Sequence, residues 1–181
     1  MTSSASPTPS LAERLSARLR VVPDFPSKGI MFQDVTPVLA DAELFADAIN
    51  AMVQPWKEKD VTHVAGIESR GFIFAAPVAL ALGAGFIVIR KPGKLPWRRL
   101  SQEYQLEYGV DRLEIHEDAC PRGSRVLVID DVLATGGTAS AACALIEAVG
   151  ATVVGCQFLL SIRSLSGRQR IAERAVRVLV E

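Results

Sequence analysis

Two phosphate-binding signatures are missing from the chain. It contains no GxxxxGK[ST], which argues against a nucleoside triphosphatase, and no GxGxxG, which argues against a dinucleotide-binding fold. Neither sign of charge is in excess: 20 Lys and Arg balance 20 Asp and Glu, so no global field draws the protein to nucleic acid or to an anionic membrane. Metal-ligating side chains are scarce. The two histidines are His63 and His116, and the three cysteines, Cys120, Cys143 and Cys156, show no CxxC spacing. Buried, reduced thiols in a cytoplasmic protein are the expectation. The stretch MTSSASPTPS lacks the basic start and apolar centre of a signal peptide, so residues 1–9 read as a disordered polar tail before a single domain over 10–181. One run of 18 residues, Phe72 to Ile89, carries no charge and reaches the length of a membrane span. Pro77, Gly83 and Gly85 divide it into a short buried helix, a turn and a strand, so no membrane is expected.

What is present alternates between strand and helix patterns. Leu11, Leu15 and Leu19 recur at helical spacing behind Ser10, a good N-cap, which predicts a helix over 11–20. Prolines and glycines then interrupt VVPDFPSKGIMFQDVTPVL. Asp41 can cap a second helix with Leu44, Phe45, Ala48, Ile49, Met52, Val53 and Trp56 on one face. VTHVAGI, GFIVIR, RVLVID and TVVGCQFLLS are short, β-branched apolar runs separated by helical segments, the pattern of parallel strands with crossovers. VRVLV reads as an added edge strand. The chain is therefore α/β. Residues 91–109 form a long irregular piece, and a loop of that length inside a domain suits a lid.

In an open parallel sheet, ligands gather beyond the carboxyl ends of the strands. Three segments fall there: GIESRG, RKPGK and DDVLATGGT. In the third, Gly136 and Gly137 permit close backbone approach, and the helix beginning near Thr138 aims unpaired N–H groups and a partial positive charge into the turn. With hydroxyls from Thr135 and Thr138, this suits a phosphate monoester. Asp130 and Asp131, one step back, can accept hydrogen bonds from vicinal hydroxyls such as those of a ribose. The bland alternative is a tight strand-to-helix turn with two solvated aspartates.

VLVIDDVLATGGT resembles the phosphoribosyl pyrophosphate (PRPP) signature of the type I phosphoribosyltransferases. PDFPSKGIMFQDVTPVL, AGIESRGFIF, RKPGKLP, LEYG and SLSGR follow the order and spacing of the family's adenine-specific branch, over about residues 11–171. The resemblance implies a central, mostly parallel sheet flanked by helices, a small hood region and a flexible lid loop. It implies transfer of the phosphoribosyl group from PRPP to adenine, with AMP and pyrophosphate as products. Asp130, Asp131, Ala134, Thr135, Gly136, Gly137 and Thr138 then hold the ribose and 5′-phosphate. Glu68, Ser69, Arg70, Gly71, Arg90, Lys91 and Lys94 serve the pyrophosphate, with a cis peptide bond at Glu68–Ser69. Met31, Phe32, Gln33 and Val132 surround adenine, Met31 through its backbone. Glu107 is the acid–base group and Tyr108 a catalytic lid residue near the pyrophosphate. A homodimer is implied, with Mg²⁺ carried mainly on substrate oxygens, as suits a hard cation that retains its waters, and without a dedicated protein cage.

Some positions depart from the family pattern. Gln33 stands where arginine is usual, and Ser161 and Arg163 in LSIRSL replace a carboxylate-bearing segment beside the purine. Two other readings stay open at this point: an enzyme of the same class acting on a 6-oxopurine, and a non-catalytic regulator that senses PRPP. Net neutrality weighs against the regulator. Arg98 and Arg99 read as plain surface, His63 as a strand residue and His116 as surface.

Overall fold

The computed structural model describes residues 8–105 and 110–181. They fall into two compact units, one comprising the chain up to Ala48 with Val180, the other Ile49–Leu179 with Glu181.

In the first unit, α1 (Leu11–Arg18) opens with a capping box: Ser10 Oγ accepts from the Glu13 N–H at 3.3 Å, and Glu13 Oε2 accepts from the Ser10 N–H at 2.7 Å. The helix ends two residues earlier than its leucine spacing predicts, because Leu19 is already extended and Arg20 begins β1 (Arg20–Pro23). β1 pairs antiparallel with β2 (Met31–Asp34) in the register Val22↔Phe32. Sequence patterning offers no sign of this ribbon, whose first strand ends in Pro23 and whose turn contains a cis Phe25–Pro26 bond. Phe25 and Phe32 meet edge to face at 5.1 Å. Asp34 accepts from the Thr36 N–H at 2.9 Å to start α2 (Thr36–Leu39), and Asp41 accepts from the Leu44 N–H at 3.1 Å to start α3 (Ala42–Val53).

The second unit holds the sheet. β3 (His63–Ile67) leads to α4 (Gly71–Leu82), which stops where Gly83 turns left-handed, and β4 (Gly85–Ile89) follows. Next comes an antiparallel pair, β5 (Arg99–Gln105) with β6 (Val110–His116). The predicted irregular stretch over 91–109 is therefore corrected: most of its second half is strand. β5 eludes patterning because five of its seven side chains are polar or charged and Tyr104 alone is fully buried. β7 (Arg125–Leu133), α5 (Gly137–Ala148), β8 (Thr152–Ser161), α6 (Gly167–Arg170) and β9 (Val176–Val180) complete the unit.

The five-stranded sheet runs β4–β3–β7–β8–β9, and β3 is parallel to both β4 and β7, as β7 is to β8. Continuous apolar strands are what burial on both faces requires. Val126, Leu127, Val128 and Ile129 are fully buried on β7, as are Phe74 on α4 and Phe158 on β8. Each large side chain withdrawn from water contributes about 1.5–3 kcal/mol. Trp56 is buried, its Nε1 donating to the buried Gln157 Oε1 at 3.0 Å, whereas Trp97 is 61 % exposed. No helix among the described residues is long and apolar enough to cross a membrane. The three cysteines are free and buried. His116, read as surface, is half-buried, and its Nε2 is buried without a hydrogen-bond partner.

Candidate active site

Because β3, β4 and β7 are neighbours and parallel, their carboxyl ends share one edge of the sheet, and the three sequence segments meet there. β7 ends at Leu133; Ala134 and Thr135 follow, and Gly136, at φ +77°, caps α5. The first amides of α5, from Gly137 and Thr138 onward, have no acceptor within the helix, which suits the turn to an anion. A second segment holds the turn in shape. A Cβ on Gly136 would lie 2.4 Å from the Gly167 carbonyl oxygen, and one on Gly167 would lie 2.0 Å from that of Ala134. Only bare backbones fit this crossing. Gly167 was not among the candidates read from sequence. Its signal was SLSGR, seen there only as a family marker.

Asp130 and Asp131 sit immediately before the turn. Burial drives the Asp130 carboxyl well above the ordinary carboxylate range, the charge of Asp131 adds to this, and Arg70 pulls the other way more weakly. Asp131 is 4 % exposed and pairs with the Arg70 guanidinium. Gly71 opens α4 directly against Asp130, since a Cβ there would lie 2.8 Å from Asp130 Oδ1. The segment of residues 68–71 is thus joined to the acid pair. The Glu68–Ser69 peptide bond is cis, as expected. Ser69 is exposed.

Glu68 is bonded to the loop that follows β4. Its carboxylate accepts from Arg90 Nε at 3.1 Å, from the Lys91 N–H at 2.9 Å and from Lys94 Nζ. Burial opposes its ionisation, but the bonds from Lys94, the Lys91 N–H and Arg90 prevail and hold the carboxyl down at about 2. Glu68 therefore gathers the cations. The Lys91 ammonium leans toward the β5–β6 pair, where it bonds Asp111 and, at 2.8 Å, Tyr104 Oη. Burial lowers its pKa, yet those two partners raise it above the usual lysine value. Arg99, read as plain surface, lies 3.1 Å from the buried Glu114.

Met31, exposed, and Phe32 and Gln33, both half-buried, lie side by side on β2 in the first unit; Val132 is half-buried on β7 in the second. Glu107 and Tyr108 fall outside the described residues. The Ile162 N–H donates to the Leu133 carbonyl at 2.9 Å, so the end of β8 lies against the end of β7. Ser161 and Arg163 flank that contact on the wall of a cavity of about 350 Å³, where Glu181 pairs with both Arg163 and Arg168. Among the described residues, no group of three or more His, Cys, Asp or Glu is arranged to hold a metal ion.

The family model for the phosphoribosyl transferase domain matches residues 37–180. An adenine phosphoribosyltransferase of Anaeromyxobacter sp. (strain Fw109-5) is 54 % identical over 168 residues, covering 93 % of this chain and 95 % of that protein. The crystal structure of adenine phosphoribosyltransferase from Rhodothermus marinus is 50 % identical and superposes with a TM-score of 0.90, over 94 % of this chain and 97 % of that one. The enzyme of Saccharomyces cerevisiae, complexed with adenine and D-2,5-dideoxy-2,5-imino-altritol 1,6-bisphosphate, is 39 % identical with a TM-score of 0.88, covering 93 % and 98 %.

Proposed function

Because the chain belongs to the phosphoribosyl transferase family, we propose that it transfers the phosphoribosyl group of PRPP to adenine, forming AMP and pyrophosphate in purine salvage. The observation that carries this reading is the junction of an anion-binding turn, an acid pair and a cation set at one sheet edge, tied together by Arg70–Asp131. The turn at residues 134–138 takes the 5′-phosphate through backbone amides and the hydroxyls of Thr135 and Thr138. Asp130 and Asp131 accept from the ribose diol. Arg70, Arg90, Lys91 and Lys94, with the amides of Ser69 and Gly71, receive the pyrophosphate, and Glu68 keeps the cations together.

Adenine N9 attacks the anomeric carbon as pyrophosphate departs, and positive charge develops on the ribose. Water must be kept out, because an oxocarbenium-like centre is readily hydrolysed. As the resemblance implies, Glu107 manages the purine proton and Tyr108 serves the pyrophosphate from the lid. The resemblance assigns the Met31 backbone, Phe32, Gln33 and Val132 to the base, the Met31 N–H for purine N1 and its carbonyl for the exocyclic amine. A 6-oxopurine inverts both polarities, and each mismatched buried group costs about 1–3 kcal/mol.

The donor set fits Mg²⁺, a hard cation that keeps several waters and binds through few carboxylates. Asp130 and Asp131 are the acids nearest the turn, and the ion would rest mainly on substrate oxygens. When bound it would neutralise phosphate charge. The working form is a homodimer in the cytoplasm. α4 supports the dimer, since it leaves Leu80 83 % and Ile73 41 % exposed on an otherwise apolar helix. Three unpaired cysteines suit a reducing compartment.

The test is pyrophosphate release from PRPP and Mg²⁺ with adenine, hypoxanthine, guanine or no base. Adenine alone should support turnover. Comparable rates with hypoxanthine or guanine would reassign the base, and no release with any base would defeat the reading.

A further inference from the structure

The segment of residues 90–94 carries three cations in five positions, yet Pro92 and Gly93 offer it no side chain that could fix its path, and Gly93 takes φ +76°. One residue of β6 fastens it at both ends. The Arg90 N–H donates to the Glu114 carbonyl at 2.9 Å, and the Glu114 N–H donates to the Arg90 carbonyl at 2.8 Å, which fastens the start of the segment. The Glu114 side chain fastens its far end, Oε2 accepting from the Gly93 N–H at 3.0 Å. The same oxygen lies 3.1 Å from Arg99 Nε, while Oε1 accepts from Ser101 Oγ at 3.4 Å. Glu114 is 3 % exposed. A carboxylate so far from water is retained only where donors replace its hydration, and these three do so.

We infer that Glu114 is a positioning residue for the pyrophosphate end of PRPP: it brackets residues 90–93 so that Arg90, Lys91 and Lys94 are presented together. This rests on the PRPP reading of the site. Glu114 touches no substrate. Its effect reaches the reaction through the path of the loop, opposite the hold that Glu68 exerts on the same cations.

Two variants separate reach from charge. Glu114→Asp keeps the charge but withdraws the carboxylate by one methylene, out of range of Gly93. Its KM for PRPP should rise about tenfold or more, since losing a hydrogen bond to a charged group corresponds to roughly 10- to 100-fold in affinity. Its KM for adenine should stay within about threefold of the parent. Glu114→Gln should recover most of the loss, because its amide oxygen can accept from Gly93 and Arg99 while its NH₂ faces Ser101 Oγ, which can accept. An Asp variant with an unchanged KM for PRPP, or with both KM values raised together, overturns the inference. So does solvent-rate hydrogen exchange of the Gly93 amide in the parent protein, whether or not the variants fold. Failure of the functional reading shows separately, as a parent that forms no AMP; the kinetic outcomes above, in an active parent, sink this inference alone.

Discussion

Replacing Glu68 by Gln removes the one negative charge that holds Arg90, the Lys91 amide and Lys94 together, without changing side-chain size. The interval between the ordinary 4.5 and a folded value of about 2 converts to about 3 kcal/mol at most. Lys94 is half exposed, so solvent screening reduces this to about 1–2 kcal/mol. For a chain of this length that is a fall in Tm of about 2–8 °C at pH 7. The sign follows from the direction of the shift. A carboxyl depressed in the folded state stabilises it fully above pH 4.5, and that contribution fades as pH falls from 4.5 through 2. By pH 3.5 the gap between parent and variant should shrink to roughly half. Paired thermal melts across this range measure it, and the KM for PRPP should rise in the variant as the cations separate. Identical melting temperatures at neutral pH, or a gap indifferent to pH, would refute the assignment of Glu68 as the holder of these cations.

Gly167→Ala forces a Cβ to 2.0 Å from the Ala134 carbonyl oxygen and 2.8 Å from the Gly136 nitrogen, so the phosphate turn must move; KM for PRPP should rise at least about tenfold, and parental kinetics would show the crossing to be slack. Asp130→Asn should separate stability from function. The folded carboxyl is raised above its ordinary 3.8, so its protonated form favours folding, and stability is lost as pH climbs past that value; the variant should melt higher than the parent at pH 8, match it near pH 3, and bind PRPP more weakly. A variant less stable at pH 8 would contradict this. Glu107→Gln should lower kcat by about 10²–10⁴-fold, as for other positioned proton-transfer groups, and near-normal turnover would remove it from the chemistry.

The parts of this protein legible in its sequence are those whose physics is local. β3, β4, β7, β8 and β9 are apolar runs bounded by turn residues, and the turn at residues 134–138 is an uninterrupted string of small residues, separated from the acid pair by two residues. β5 was hidden because its partner β6, rather than its own alternation, makes it a strand, and only Leu100 and Tyr104 meet the core. β1 was hidden by the proline that ends it. In the site, Gly167 and Glu114 act on residues 31 and 21 to 24 positions away, across contacts that no spacing encodes. One trace of Glu114 does exist: an acid set between Leu113 and Ile115 in a strand must be compensated by something.

The two tryptophans, finally, divide the molecule into optical channels. Trp56 is sealed at 3 % exposure and tethered to Gln157, so its emission stays blue until β8 gives way. Trp97, three residues beyond Lys94, stands in water, where acrylamide quenches it and where an anion gathered by the neighbouring cations would alter that quenching. Unfolding and ligand capture can thus be followed in one cuvette by wavelength, without attaching a dye.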